Sequence, residues 1–550
     1  MTGTDPAQSP TSSSDFFLTE DKAAPDEQVA SVSVNNDTSP PERIETNGDL
    51  SRGEIISIVI ALVFSFALVG LDQNIIATAV PAITDDFQTI EDIGWYNSVY
   101  RLTSSSFQPL FGKTYSLFPP RRVHLASLFF FGGGILLSAL APTSAVFIVG
   151  RALIGVSAAG VISGAFSIIT HSFPLCKRPL YAGLGGGTEA IAGAVAPLLG
   201  GVLTDHLSWR WCFYIQLPFV LLTFVAVCAC SKMPKPESRP LREKVSSLDF
   251  LGTTTFVSAI TSLLLATQFG AGKYAWSNWR VILLFVLFAA LLIVFFYIQH
   301  RRQEQAILPP RITISRNILF GVLFSSANNG ALSIIEYYMP LYFQNARGMT
   351  ATMSGINLLP IVVGLIVSVI LSGYLTLIVG YYNPFMLATS ILTPIANGLL
   401  TTLTQTTQIW KILVFQGLLG IGTGIGFQGP QVAVQTVLSK NDTSVGIGVI
   451  QFAQGIGPAI FIAVSQSIFL ARFKKELGLA GLTERAGDLI AKGISPSSLS
   501  LNDTDRRVVS AAYAESLTQT FYLPVALSSL TVVGALGMEW RSIKLNRPGE

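Results

Sequence analysis

Residues 55–80 read IISIVIALVFSFALVGLDQNIIATAV, a continuous apolar run with one carboxylate, Asp72, set inside it. At about 1.5 Å per residue, a helix of this length outspans the ~30 Å hydrocarbon core of a bilayer. The stretch therefore predicts a membrane-spanning helix. An Asp near the middle of such a helix costs roughly 2.5–3.5 kcal/mol on insertion-based scales. A chain tolerates that cost where the group faces a bundle interior or a water-filled path. Asp72 thus implies partner helices and a polar centre.

The rest of the chain continues the pattern. Of 550 residues, 50% are hydrophobic and only 12% charged, with a mean hydropathy of +0.54. A soluble domain carries about 25% charged residues. Windows of roughly twenty residues give about fourteen spans. They begin near Ile55, Ile93, Val123, Ala145, Tyr181, Trp211, Phe250, Trp279, Asn317, Thr350, Asn383, Ile409, Thr443 and Thr518. Residues 1–52 are rich in Ser, Thr, Asp, Glu and Pro and predict a disordered tail, without the basic start and short apolar core of a signal peptide. The four cysteines (Cys176, Cys212, Cys228, Cys230) lie in or beside spans and form no disulfide framework.

Lys and Arg give the orientation. One set of loops carries Arg121, Arg122, Lys177, Arg178, Lys232, Lys235, Arg239, Arg242, Lys244, Arg301, Arg302, Arg311 and Arg316. The alternate loops are short, neutral or acidic (Asp85, Asp86, Glu91, Asp92). The basic side is expected to be cytoplasmic, with both termini. The long segment 472–517 then lies outside, where Asn502-Asp503-Thr504 is a glycosylation sequon at Asn502. The triplets at Asn36 and Asn441 fall on the cytoplasmic side.

A weak repeat divides the chain. Arg151-Ala152-Leu153-Ile154-Gly155 in the fourth span resembles Gln416-Gly417-Leu418-Leu419-Gly420 in the twelfth, and Ala196-Pro197 in the fifth resembles Gly457-Pro458 in the thirteenth. The expected fold is an all-α polytopic membrane protein of two six-helix bundles plus two extra linker helices. The expected boundaries are 1–52 (tail), 53–232 (N-terminal bundle), 233–316 (linker), 317–540 (C-terminal bundle with the outer segment 472–517) and 541–550 (tail). Parallel repeats of this kind place a substrate site near the midplane between the halves.

Besides Asp72, the ionisable residues inside spans are Arg101, Arg151, Glu189 and Glu336. Arg151 is flanked by Gly150 and Gly155, which permit close backbones. A fixed cation there favours a deprotonated carboxylate and competes with an arriving proton; the alternative is a helix lock on backbone carbonyls. Asp72, Arg151 and Glu189 are the candidate proton-coupling set, although Glu189 could instead be a neutral interhelical hydrogen-bond partner. Gly183, Pro197, Gly200 and Gly201 mark a closely packed, bent fifth span suited to gating, or ordinary small-residue packing. Gly112, Arg121 and Arg122 belong to a tight basic turn that latches helices or only anchors them. Asn328, Asn329, Glu336, Gln416, Gln428, Gln431, Gln451 and Gln454 could line a cavity for a bulky amphipathic organic molecule, or act as interhelical glue of about 0.6 kcal/mol each. The four histidines (His124, His171, His206, His300) show no metal-ligand spacing, and no full phosphate-binding loop is present. No enzyme activity, metal, cofactor or nucleic-acid partner is expected.

Several stretches together resemble fourteen-span drug:proton antiporters of the major facilitator superfamily, in their fungal toxin and multidrug efflux branch. They are Leu71-Asp72-Gln73-Asn74-Ile75-Ile76-Ala77-Thr78-Ala79-Val80-Pro81, Gly150-Arg151-Ala152-Leu153-Ile154-Gly155, the span-five pattern with Ala192 and Ala196 where Gly is usual, Trp209-Arg210-Trp211-Cys212-Phe213-Tyr214-Ile215-Gln216-Leu217-Pro218, and Tyr337-Tyr338-Met339-Pro340-Leu341-Tyr342-Phe343-Gln344 followed by Ser354-Gly355. The superfamily's loop motif departs here, because its usual Asp, four residues after Gly112, is Ser116. The resemblance implies the major facilitator fold, Arg151 in proton coupling, and proton-driven export of small organic molecules such as drugs, mycotoxins or other secondary metabolites. It implies a monomer in the plasma membrane or the vacuolar membrane. A proton-coupled importer, for example of iron chelates, shares the architecture; a non-transporting membrane sensor is the other alternative.

Overall fold

The computed structural model describes residues 51–88, 92–229, 240–270, 274–479 and 503–544. These residues form helices and no strand. The first helix, α1 (Arg52–Phe87), starts where Ser51 and Glu54 close a reciprocal cap, with Glu54 N donating to Ser51 Oγ at 3.2 Å and Ser51 N to Glu54 Oε2 at 2.9 Å. It is followed by α2 (Ile93–Leu117), α3 (Pro120–Ala139), α4 (Ser144–Ser172), α5 (Arg178–His206), the short α6 (Trp211–Tyr214) and α7 (Leu217–Ala229). A short α8 (Leu241–Ser246) precedes the linker pair α9 (Phe250–Gln268) and α10 (Trp279–Arg302), and α11 (Pro310–Thr313) follows it. The second half holds α12 (Arg316–Leu341), α13 (Ala351–Ile356), α14 (Leu359–Val379), α15 (Asn383–Leu400), α16 (Ile409–Ile425), α17 (Gly429–Val437), α18 (Lys440–Leu479), α19 (Asp503–Thr520) and α20 (Tyr522–Gly537).

Twelve spans among the described residues are long and apolar enough to cross a membrane. Two of the expected fourteen are not in that set: α2 is studded with Ser, Thr and Gln, and α15 carries two Asn and two Pro among its 18 residues. Both are packed between neighbours, α2 on α4 and α18, α15 on α16 and α20. The described parts of 472–517 are helical, because Phe473, Leu477, Val509, Tyr513 and Leu517 recur at helical spacing and bury into one apolar cluster with Tyr338, Tyr342 and Phe469. The sequon Asn502, the tail 1–50, residues 545–550 and Lys232, Lys235 and Arg239 lie outside the described residues.

Helices α1–α7 pack on one another, with α1 against α5 and α7 and α4 against α2 and α3. Helices α12–α20 repeat the arrangement, with α14 on α16, α12 on α18 and α20, and α15 on α16 and α20. Two seams join the halves, α5 against α14 and α2 against α18. Both depend on missing side chains at the end that carries the basic residues. A Cβ on Gly183 would lie 3.2 Å from Cα of Gly373, and one on Gly373 would lie 2.6 Å from the Pro179 carbonyl oxygen. On the other seam, a Cβ on Gly448 would lie 3.3 Å from Cα of Gly112 and 2.8 Å from the Gln108 carbonyl oxygen. Small residues let these backbones touch, which is how helices associate where no hydrophobic force drives them together. By the offset that relates Pro197 to Pro458, Gly112 corresponds to Gly373.

The linker pair leans on the α2–α18 seam. Phe256 of α9 packs on Phe452 of α18 at 5.1 Å, and Gln268 donates to Ser98 Oγ of α2 at 3.2 Å. Only 11% of the apolar window of α10 is buried, so its outer face suits lipid. At the basic end the linker also makes a clasp. Lys113 Nζ of α2 donates to the Glu304 carbonyl at 2.6 Å. Arg311 grips Asp442 of α18 through Nη1 and Nη2 at 3.1 and 3.2 Å, and Glu304 through Nε at 3.1 Å. These hydrogen bonds to carboxylates hold the Arg311 guanidinium above its ordinary pKa. Ser116, where an Asp was expected, donates instead to the Lys113 carbonyl at 2.8 Å.

Closure of the α5–α14 seam requires that position 373 carry no side chain. Gly373→Leu should separate the two helices at their basic end and destabilise the closed form by about 1–3 kcal/mol. In a background with native cysteines replaced by serine, labelling of a Thr376→Cys reporter should rise at least several-fold. Labelling that stays at the level of the unsubstituted seam would contradict this account.

Candidate functional site

The carboxylate that costs most in the sequence meets a buried cation that offsets it. Asp72 Oδ2 of α1 lies 2.8 Å from Arg151 Nη1 of α4, and both side chains are 0% exposed. Neither charge is stable there alone; together they satisfy the rule that buried charges come paired. Around the pair, Arg151 Nε donates to the Tyr96 carbonyl at 3.1 Å, and its guanidinium lies 4.8 Å from the Tyr100 ring centroid. Gln216 Nε2, at the entrance to α7, donates to Asp72 Oδ1 at 3.3 Å and to the Cys212 carbonyl at 3.0 Å. Gly155, one turn beyond Arg151, seats α2 against α4: a Cβ there would lie 2.5 Å from the Tyr100 carbonyl oxygen.

An aromatic cap covers the acidic end of this half. Phe147 packs edge-on against Tyr96, Trp209 and Phe213 at 5.2–5.6 Å. Arg210 pairs with Asp86 at 2.9 Å, and Trp209 Nε1 donates to the same carboxylate at 3.2 Å. The stretch 209–216 therefore does two jobs: it closes the end of the bundle and delivers Gln216 to Asp72.

Glu189 is only half-buried, unlike the sealed pair. Its backbone is pressed against Gly70 of α1, two residues before Asp72, so the crossing of α1 and α5 brings both carboxylates to neighbouring levels. Arg101 of α2 is half-buried and, with the Gln73 amide oriented to satisfy both groups, donates to Gln73 from both Nη atoms at 3.1 Å. It is within Coulombic reach of Glu336 of α12, which is exposed. Glu189 and Arg101 are thus half-buried and Glu336 exposed, whereas Asp72 and Arg151 are fully enclosed.

The other expected residues divide by environment. Gly200 is locked against Ile75 and Thr78 of α1, Thr78 Oγ1 donates to the Pro197 carbonyl at 3.2 Å, and Gly201 faces open space. Arg121 donates to the Cys228 carbonyl of α7, while Arg122 is exposed. In the second half, Asn328 and Gln416 are buried with no partner on either amide atom, and the Gln428 oxygen is likewise unpaired. Gln431, suitably oriented, accepts from Gln454 Nε2 at 2.8 Å and donates to the Phe427 and Gln428 carbonyls at 3.3 Å. Asn329 bonds to the Ser325 carbonyl at 3.0 Å, and Gln451 is half-buried on α18. The amides do not form one cluster: Gln428 reaches across the α5–α14 seam to Gly186, while Gln416 sits within α16 at the position that Arg151 holds in the repeat.

Tyr96, Tyr100 and Gln216 were not singled out from sequence. Aromatic residues and a lone amide at a span entrance are too common to stand out, and only the crossing of α1, α2 and α4 gives them a role. The same holds for His124, fully buried where Ser65 Oγ (3.1 Å), Tyr115 and the glycines of α4 meet. Among the described residues, no group of three or more His, Cys, Asp or Glu could hold a metal ion.

The Major Facilitator Superfamily pattern matches residues 62–462. The chain is 41% identical over 512 residues to the MFS-type efflux pump MFS1 of Arthroderma benhamiae, covering 92% of this chain and 94% of that one. It is 39% identical over 520 residues to the efflux pump roqT of Penicillium rubens (92% and 96% covered), and 38% identical over 503 residues to the efflux pump aunC of Aspergillus niger (91% and 89% covered). Among solved structures, the proton:xylose symporter XylE superposes with a TM-score of 0.57 at 12% identity, covering 88% of this chain and 94% of that one. The human organic anion transporter MFSD10 gives 0.55 at 13% identity, with 87% and 99% covered. At these identities the two structures speak for the fold.

Removing one partner of the buried pair should be far worse than removing both. Asp72→Asn or Arg151→Met alone should cost about 3–5 kcal/mol, because it strands the other charge. The double variant should recover much of that loss. Thermal unfolding of the purified protein in detergent checks this; equal melting of single and double variants would show that the pair is not coupled.

Proposed function

The chain belongs to the major facilitator superfamily, and from that premise we propose that it is a secondary active exporter of small organic molecules, driven by inward proton movement. It is a multi-pass membrane transporter of the efflux type, not an enzyme. The single observation that carries the proton reading is the contrast inside one half of the molecule: a fully enclosed Asp72–Arg151 pair beside a half-buried carboxylate, Glu189, which has no cation paired to it among the described residues and whose backbone packs on Gly70. A transporter needs a group that changes protonation and a group that registers the change. Glu189 is suited to the first role and the ion pair to the second.

In the proposed cycle the two halves rock about the midplane. With the basic end cytoplasmic, the closed glycine seams correspond to a form shut towards the cytoplasm. Substrate binds when these seams are open, the protein turns outward, and protonation at Glu189 assists release; the proton then leaves to the cytoplasm and the protein resets. Coupling comes from the different affinities of the two forms for proton and substrate. The polar amides of the second half, Asn328, Gln416, Gln428, Gln431 and Gln454 with Asn329 and Gln451, are the proposed substrate contacts, with Glu336. Relatives named as efflux pumps support the export direction; drugs or secondary metabolites such as mycotoxins are the proposed substrate class. The plasma membrane is the proposed location, and the monomer the working unit.

Paired metabolite profiling inside and outside cells, with and without the chain, tests direction and cargo. Export predicts a compound depleted from the medium and retained in cells that lack the chain; the opposite sign indicates import. Glu189→Gln should reduce proton-driven efflux at least tenfold while the protein still reaches the membrane, and undiminished efflux would remove Glu189 from the mechanism. For topology, Asn502→Gln should abolish a glycan, seen as faster migration that matches glycosidase-treated protein. No glycan on the unsubstituted protein would count against an external 472–517.

A further inference from the structure

In the proposed cycle the basic end opens when α2 and α18 part, and the linker grips both helices there. Lys113 Nζ of α2 donates to the Glu304 carbonyl at 2.6 Å. Arg311 donates to both carboxylate oxygens of Asp442 of α18, at 3.1 and 3.2 Å. Glu304 sets that arginine in place, accepting from its Nε at 3.1 Å. The chain that carries these contacts is itself anchored within the linker. Asp249, 1% exposed at the start of α9, accepts from Gln299 Nε2 at 2.9 Å and pairs with Arg302 Nε at 3.4 Å. The other end of the same amide, Gln299 Oε1, accepts from Leu308 N at 2.9 Å. Ile307 is buried in one cluster with Phe256 and Phe295 of the linker and Ile456 of α18. Between these anchors the backbone turns at Gln303, with φ 49° and ψ −114°, a combination that tight turns give chiefly to glycine. A residue with a Cβ keeps such a conformation where its surroundings enforce it, and strain of this kind clusters at clamps and switch regions.

We propose that the linker carries a latch between the halves: the Gln303 turn presents Glu304 and Arg311 as one unit that grips Lys113 and Asp442 and sets how readily both seams open at the basic end. This rests on the reading of the closed glycine seams as the form shut towards the cytoplasm. Three features separate a latch from an incidental surface contact. The grip runs from a third element to both halves, so it must break when α2 and α18 part. Arg311 meets Asp442 through two parallel hydrogen bonds, which fix geometry as well as charge. The grip is also positioned from behind, because Gln299 and Asp249 hold the turn through bonds within the linker. Ser116, at the position where the loop motif usually has an Asp, turns back to the Lys113 carbonyl at 2.8 Å. The linker supplies a connection in its place. The two extra helices are then a working part of the transporter rather than a spacer.

Cysteine labelling of the purified full-length protein with fluorescein maleimide tests this without any cargo. In a background with native cysteines replaced by serine, Ser444→Cys reports on the α2–α18 seam, where Ser444 is 5% exposed and its carbonyl oxygen lies 2.7 Å from a Cβ built on Gly112. Thr376→Cys reports on the α5–α14 seam. Arg311→Gln should raise both labelling rates about threefold, the scale of a partly exposed charge contact. Asp442→Asn should do the same, and the double variant should add little, since both remove one contact. Gln299→Leu, which bonds only within the linker in these contacts, should also raise both rates and add little to Arg311→Gln; a merely local surface pair would not respond to it. Melting temperatures of Arg311→Gln and Asp442→Asn should match the unsubstituted protein. Unchanged rates in any of the three single variants overturn the latch. A rise at Ser444→Cys alone overturns it too, because that is local fraying of α18 and not movement of the halves. If neither reporter labels even in Gly373→Leu, the seams do not open, and the rocking reading falls together with the latch.

Discussion

The salt bridge between Asp72 and Arg151 is the constraint around which the first half is organised. Two ions in a lipid-embedded bundle are each too costly to keep alone, so every element that touches them is committed to holding them together. Gly155 brings α2 close enough for Tyr96 to lend a carbonyl and Tyr100 a ring. The turn before α7 brings Gln216 to the second carboxylate oxygen. The aromatic residues Phe147, Trp209 and Phe213 close the end above. Both side chains of the pair are fully enclosed by this packing.

The second constraint is the absence of side chains where the halves meet. Gly183 and Gly373 on one seam, Gly112 and Gly448 on the other, let backbones approach within a distance that any Cβ would prevent. Interfaces of this kind hold by packing alone, which makes them separable without breaking strong bonds. The clasp formed by Lys113, Glu304, Arg311 and Asp442 adds charge to one of the two seams only. Its ion pairs are partly exposed, and such pairs contribute about 0–1 kcal/mol each. A contact of that strength can bias a rocking motion without freezing it.

The two halves share a backbone plan but differ in chemistry. Arg151 of the first half corresponds to Gln416 of the second, and the Gly155 contact with α2 is matched by a Gly420 contact with Ile361 of α14. Where the first half holds a charge pair, the second holds neutral amides, several of them unpartnered. The repeat thus supplies symmetric glycine seams and asymmetric interiors, one built on a buried charge pair and the other on neutral amides.

Composition and the spacing of apolar runs determined that this is a helical membrane protein, because a bilayer fixes the length of what crosses it. The motifs around Asp72, Arg151 and Trp209 determined the superfamily. The repeat also fixed which positions correspond, since equivalent packing preserves small residues at equivalent steps. Sequence could name Asp72 and Arg151 as costly ions but could not pair them, because their contact depends on how α1 crosses α4. It could not find Tyr100, whose residue type is unremarkable until a neighbour's charge lies against it, and it gave Gln216 only as part of a motif, without its contact to Asp72. Nor could it show that Glu189 is half-buried while Asp72 is fully enclosed. Span membership follows from local hydrophobicity; burial within a bundle follows only from which faces of several helices meet.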